Sequence, residues 1–151
     1  MPEASRGRTQ PQLVLAFDMG MRRIGVACGD TLSRAASPLP GIAAGPDGPQ
    51  WTAIDALMSE WQPAMAVVGL PYNADDSESA MAARARAFAA TLESRYRLPV
   101  MLVDERYSSL EAQARLREAR QAGLRKHRVA KADIDAAAAC VILERWFTTK
   151  T

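Results

Sequence analysis

The sequence has a single histidine and two cysteines, which removes several kinds of chemistry at once. Cys28 and Cys140 stand in separate apolar segments with no CxxC or metal-like spacing. Neither a disulfide framework nor a thiolate metal site follows from them; they read as free buried thiols in a reducing compartment. His127 sits in a basic loop with no evident partner, which gives it little claim to a catalytic role. No apolar run approaches the ~20 residues of a membrane helix. The N-terminus, MPEASRGRTQPQ, lacks the apolar core of a secretory signal. Residues 1–12 therefore read as a tail, and 13–148 as one domain of a cytoplasmic protein.

What is present is ordinary in bulk and unusual in placement. The 151 residues are 48% hydrophobic and 24% charged, as in soluble globular domains. The net charge of +2 hides a strong asymmetry. Arg115, Arg117, Arg120, Arg125, Lys126, Arg128 and Lys131 face only Glu118 between 115 and 131, a local charge of +6 that leaves −4 elsewhere. Such a stripe suits a polyanionic partner, although a solvated helix face gives the same pattern.

Leu13 to Asp30, LVLAFDMGMRRIGVACGD, reads as two strands joined by a glycine-punctuated turn. The first strand delivers Asp18 to the mouth of that turn. A half-buried carboxylate is costly unless it is paired, accepts turn amides or binds a metal. Ala35 to Ile42 is extended but interrupted by proline, as in an edge strand, and a Gly/Pro-rich loop follows over 44–49. Ile54, Leu57, Met58 and Trp61 form the stripe of a first helix that Pro63 ends. Ala64 to Leu70 has the continuous apolarity of a buried parallel strand. Ser77 is positioned to cap a second helix with the stripe Met81, Ala85, Phe88 and Leu92. Pro99 to Val103 is a further buried strand, ending in Asp104-Glu105.

Ser108 and Glu111 make a capping box for a third helix, which Gly123 stops. The last helix spans Asp133 to about Phe147, with Asp133 as its N-cap. Its face reads Asp135, Ala138, Ala139, Ile142, Trp146, so Asp135 continues a small, apolar stripe. The order is three antiparallel strands followed by helix-linked parallel ones, an α/β mixed five-stranded sheet with helices on both faces. Ligands of such sheets bind at the carboxyl ends of the strands. Asp18 and Asp104/Glu105 lie at such ends, and an inward Asp135 could meet Asp18. Converging carboxylates without a His or Cys cluster favour a hard cation, Mg²⁺ or Mn²⁺. Such an ion supports phosphodiester hydrolysis.

The segments FDMGMRRIGVACGD, VVGLPYN, VDERYSS and KADIDAAAA occur in that order from about Leu13 to Phe147. In this the chain resembles the YqgF/RuvX family of pre-16S ribosomal RNA nucleases, which are also described as Holliday junction resolvase-like. The resemblance implies a ribonuclease H-like fold, metal-dependent cleavage at the 5′ end of pre-16S RNA, and a place in ribosome biogenesis. It implies Asp18, Asp104 or Glu105, and Asp135 as the active-site carboxylates, with Asp18, Glu105 and Asp135 holding the metal. The sequence departs from the family pattern at Asp76 and at Ser108-Ser109. Where the wider superfamily has an acid at the end of the fourth strand, this chain has Gly69-Leu70-Pro71, so the acidic pair would supply that ligand. Strand alternation lets only one of the two do so, and the longer Glu105 reaches further.

Arg22 and Arg23 would hold the scissile phosphate. Arg125, Lys126, Arg128 and Lys131 would follow the nucleic-acid backbone. Arg106 either clamps a phosphate or pairs with the neighbouring acids. No segment reads bases, so a four-way DNA junction competes with pre-rRNA as substrate, and a resolvase would be a homodimer. Two other readings stand beside these. One is a ribosome-assembly factor that binds RNA without cleaving it. The other rests on DxGxxxxG from Asp18 to Gly25, a phosphate loop of two-lobed kinases that this short chain has no second lobe to complete.

Overall fold

The computed structural model describes residues 10–71, 80–104 and 131–149, with the backbone alone at 131–135 and 149. The elements are β1 (Leu13–Met19), β2 (Arg23–Asp30), β3 (Ala36–Gly45), β4 (Gly48–Pro49), α1 (Trp51–Trp61), β5 (Met65–Leu70), α2 (Ala80–Tyr96), β6 (Val100–Asp104) and α3 (Lys131–Thr149). They form one sheet in the order β4-β3-β2-β1-β5-β6. β1 to β4 are antiparallel, while β5 pairs parallel with both β1 and β6.

This is the expected mixed sheet with one strand more. The additional strand, β4, is two residues long and lies inside the stretch that reads as a Gly/Pro-rich loop. It exists because Gly45 and Gly48 pair across a tight turn, with Gly48 at a φ of 105° that favours glycine. β3 accordingly runs past Ile42 to Gly45. It also carries a bulge: Pro40 and Gly41 fit opposite the single residue Gly25, between the pairs Ile24–Ile42 and Val26–Leu39. Proline cannot donate to a ladder, so the bulge is where it is tolerated.

Period-two alternation splits the core. Leu15, Phe17, Ala66, Val68 and Leu70 face α1 and α2, where Ile54, Met58, Phe88 and Leu92 meet them. Phe17 is fully buried, with its ring edge-on to Phe88 at 5.3 Å between centroids. Val14, Ala16, Ala27 and Val67 face α3, against Ala139, Ile142, Leu143, Trp146 and Phe147. α1 ends as its sequence suggests: Gln62 is left-handed at φ 45°, its N–H donates to the Met58 carbonyl at 2.8 Å, and Pro63 follows. α1 and α2 are tied at the surface by Arg95, whose fork donates to both Asp55 oxygens at 3.0 and 2.9 Å and lies over the Trp51 ring. The Arg95 and Tyr96 hydrogen bonds hold the Asp55 carboxyl below its ordinary pKa. Burial, and then the bond to Asp55, pushes Tyr96 up to about 12.

α3 begins at Lys131, two residues before the expected start, so Asp133 is inside the helix and not its N-cap. Helix ends drift when favourable residues precede the cap, and Lys131-Ala132 are good helix formers. Ser77, the Ser108–Glu111 capping box and Gly123 lie outside the described residues. Among the described residues no helix is long and apolar enough to cross a membrane.

Candidate active site

The β1–β2 hairpin turns through Gly20, where a Cβ would stand 2.5 Å from the Arg23 carbonyl oxygen. Only glycine closes this turn without moving the backbone. The turn leaves Asp18 half-buried at the end of β1, paired with Gly25 directly opposite the β3 bulge. Asp18 shares its face with Val14 and Ala16, so it belongs to the α3 side of the sheet.

α3 crosses the sheet, touching strands from β3 to β6. Leu143 and Phe147 reach β2, where a Cβ on Gly29 would stand 3.1 and 3.2 Å from their side chains. Arg145 donates from Nη1 to the Asp104 carbonyl of β6 at 3.0 Å.

Asp135 is in helical register with Ala139 and Ile142, both fully buried against the sheet.

Asp104 is arranged differently. It pairs with Leu70, whose side chain belongs to the α1–α2 face, while its neighbour Val103 packs on the α3 side. Alternation thus directs position 104 away from the face of Asp18. Glu105, Arg106, Arg125, Lys126 and Arg128 lie outside the described residues. Among the described residues no group of three His, Cys, Asp or Glu converges.

The stem of Arg23 lies over Gly41 of β3, whose Cβ would be 3.3 Å from Cγ. Gly41 precedes Ile42 of the α1–α2 core, so this stem lies on the same face as Asp18. Arg22 lines an open cleft of about 740 Å³ together with Gly20, Met21, Arg23, Gly45, Pro46 and Arg84. Arg84 and Arg145 carry no sequence motif. A signal for Arg84 exists in retrospect: it borders the stripe Met81, Ala85, Phe88, where an arginine buries its stem and presents its head at the rim.

A family model described as RuvX, Holliday junction resolvase, matches residues 12–149. A protein of Xanthomonas campestris named "Putative pre-16S rRNA nuclease" is 47% identical over 98% of this chain and 94% of its own length. One of Xanthomonas axonopodis with the same name is 46% identical over 97% and 93%. Among solved structures, Thermus thermophilus RuvC bound to a Holliday junction substrate superposes with a TM-score of 0.56 at 16% identity, over 92% of this chain and 95% of RuvC. The yeast mitochondrial Holliday junction resolvase Ydc2 gives 0.51 at 10%, over 89% and 77%. At such identities the likeness speaks for the ribonuclease H-like fold.

Proposed function

The chain belongs to the RuvX family, and from that premise we propose that it is a divalent-metal-dependent nuclease of the cytoplasm that processes the 5′ end of pre-16S ribosomal RNA. The observation that carries this reading is Asp18, half-buried at the carboxyl end of β1 on the α3 face, with Asp135 in helical register with the buried face of α3. The names of the relatives support the substrate.

The donor set fits Mg²⁺ or Mn²⁺, because the candidate acids offer oxygen and, among the described residues, no histidine or cysteine stands with them. Such an ion, when bound, supplies a water acidified towards neutrality and charge neutralisation at the phosphate. The chain's own residues do the rest. Asp18, with its strand paired on both sides, is a rigidly mounted ligand. Asp135 is its partner on the helix. Asp104 is on the opposite face, so the third ligand is Glu105, the next residue in sequence. Arg23 binds the scissile phosphate from Asp18's own face. Lys131 opens α3, and Arg125, Lys126, Arg128 and Lys131 guide the RNA backbone towards the acids. Arg106, directly after the acids, pairs with them or holds a phosphate. Residues 13–148 make up the nuclease, with 1–12 as a tail.

The test is incubation of purified protein with Mg²⁺ or Mn²⁺ on a pre-16S 5′ fragment and on a four-way DNA junction. Asp18→Asn and Asp135→Asn are the controls. Metal-dependent cleavage of the RNA, lowered at least ~100-fold in either variant, is expected. Tight RNA binding without cleavage would make the protein an assembly factor. A second reading has its own support in the description of the family and the likeness to RuvC: resolution of four-way DNA junctions. It requires a dimer, and preferential cleavage of the junction by a dimer would establish it.

A further inference from the structure

Beyond Arg23, the arginine-lined cleft at the β1–β2 turn has no role in the chemistry above. Its walls come from three separate segments: the β1–β2 turn with Gly20, Met21, Arg22 and Arg23, the β3–β4 turn with Gly45 and Pro46, and Arg84 of α2. No carboxylate among the described residues lines it. Among the described residues neither Arg22 nor Arg84 is engaged in an ion pair, and Arg84 donates only to the Gly45 carbonyl, at 3.4 Å. That long bond orients the guanidinium while leaving most of its five donors unused. Like charges gathered without a counter-charge are a cost that an anionic ligand would relieve. The guanidinium fork matches the paired oxygens of a phosphate.

Asp18 faces α3, whereas Arg84 belongs to α2 on the other face of the sheet, and the hairpin backbone lies between them. We propose that this cleft is a second phosphate site, which seats the RNA backbone neighbouring the scissile bond after the strand has crossed the β1–β2 turn, with Arg84 and Arg22 as its ligands. The proposal rests on the nuclease reading and extends it. Met21, 71% exposed at the crest of the turn, is a polarisable apolar surface over which an unpaired base can lie. The consequence is positional: the cleft sets where along the strand the cut falls, because phosphate contacts fix register.

Binding is measured in the Asp18→Asn background, where cleavage does not interfere, by titrating a single-stranded pre-16S leader RNA across a salt series. A four-way DNA junction is the parallel arm. Arg84→Gln should weaken RNA binding about 3- to 10-fold and reduce the slope of log K against log salt by about 0.7, the release expected for one lost phosphate contact. Arg22→Gln, which leaves α2 untouched, should do the same, and Arg84→Lys should restore the slope. With Asp18 intact, Arg84→Gln should shift or blur the cleavage position while cutting persists. RNA binding by Asp18→Asn with no change of slope in either arginine variant would overturn the second site and leave the nuclease reading standing. A change seen on the junction alone would overturn the assignment to RNA. Absence of both binding and cleavage in the wild-type protein would overturn the nuclease reading and this site with it.

Discussion

The two faces of the sheet are built to different specifications. On the α1–α2 side, large side chains interlock: Phe17 against Phe88, Phe88 against Trp51 at 5.5 Å, with Ile54 and Leu92 fully buried beside them. On the α3 side the residues taper. Leu143, Trp146 and Phe147 anchor the helix at the far end, where Gly29 lets it approach, while Ala16, Ala27 and Ala139 line the way to Asp18. Small residues on this face let the helix lie close to β1. One face holds the fold together and the other sets a distance.

That division can be broken from either side. Phe17→Ala removes a fully buried ring from the interlocked face and should cost about 3–5 kcal/mol in chemical denaturation. Ala139→Leu adds volume where the helix meets the sheet and should cost less, about 1–3 kcal/mol. Its metal-dependent cleavage should nevertheless fall well below what the lost stability explains, because the start of α3 is lifted from Asp18. If Ala139→Leu lost stability but retained full cleavage, the spacing role of the alanines would be wrong.

The smallest effect is expected at the surface tie between α1 and α2. The folded-state pKa of Asp55 lies below its ordinary 3.8, so its contribution is present above that value and disappears as pH falls through the folded one. Asp55→Asn should therefore lower Tm slightly at neutral pH, and the difference should vanish in acid. Tyr96, raised to about 12, works in the opposite sense: its contribution holds below its ordinary 10.0 and is lost only in strong alkali. Since Asp55 and Arg95 are both more than 40% exposed, salt should shrink the tie.

In the sequence the candidate site rests on single residues that contradict their surroundings. An apolar strand ending in Asp18, and an otherwise small and apolar helix face carrying Asp135, both announce themselves by pattern. The strand order followed from apolar runs and helix-forming stripes. Other features had no such contrast. Gly48–Pro49 pairs only through backbone, so a two-residue strand looks like the loop around it. Arg84 is one of several arginines on α2, and its meeting with the β3–β4 turn is a tertiary fact. The tie between Asp55 and Arg95 joins residues 40 apart in sequence.

The central claim is that Asp18 and Asp135, delivered by different elements, act as one metal-binding unit. The direct measurement is a double-mutant cycle on metal-dependent RNA cleavage with Asp18→Asn, Asp135→Asn and the combination. Residues that act as a unit are strongly non-additive. The double variant should cleave no more slowly than the slower single variant, with all three folded by thermal melting. Losses that multiply in the double variant would show two independent sites and contradict the account.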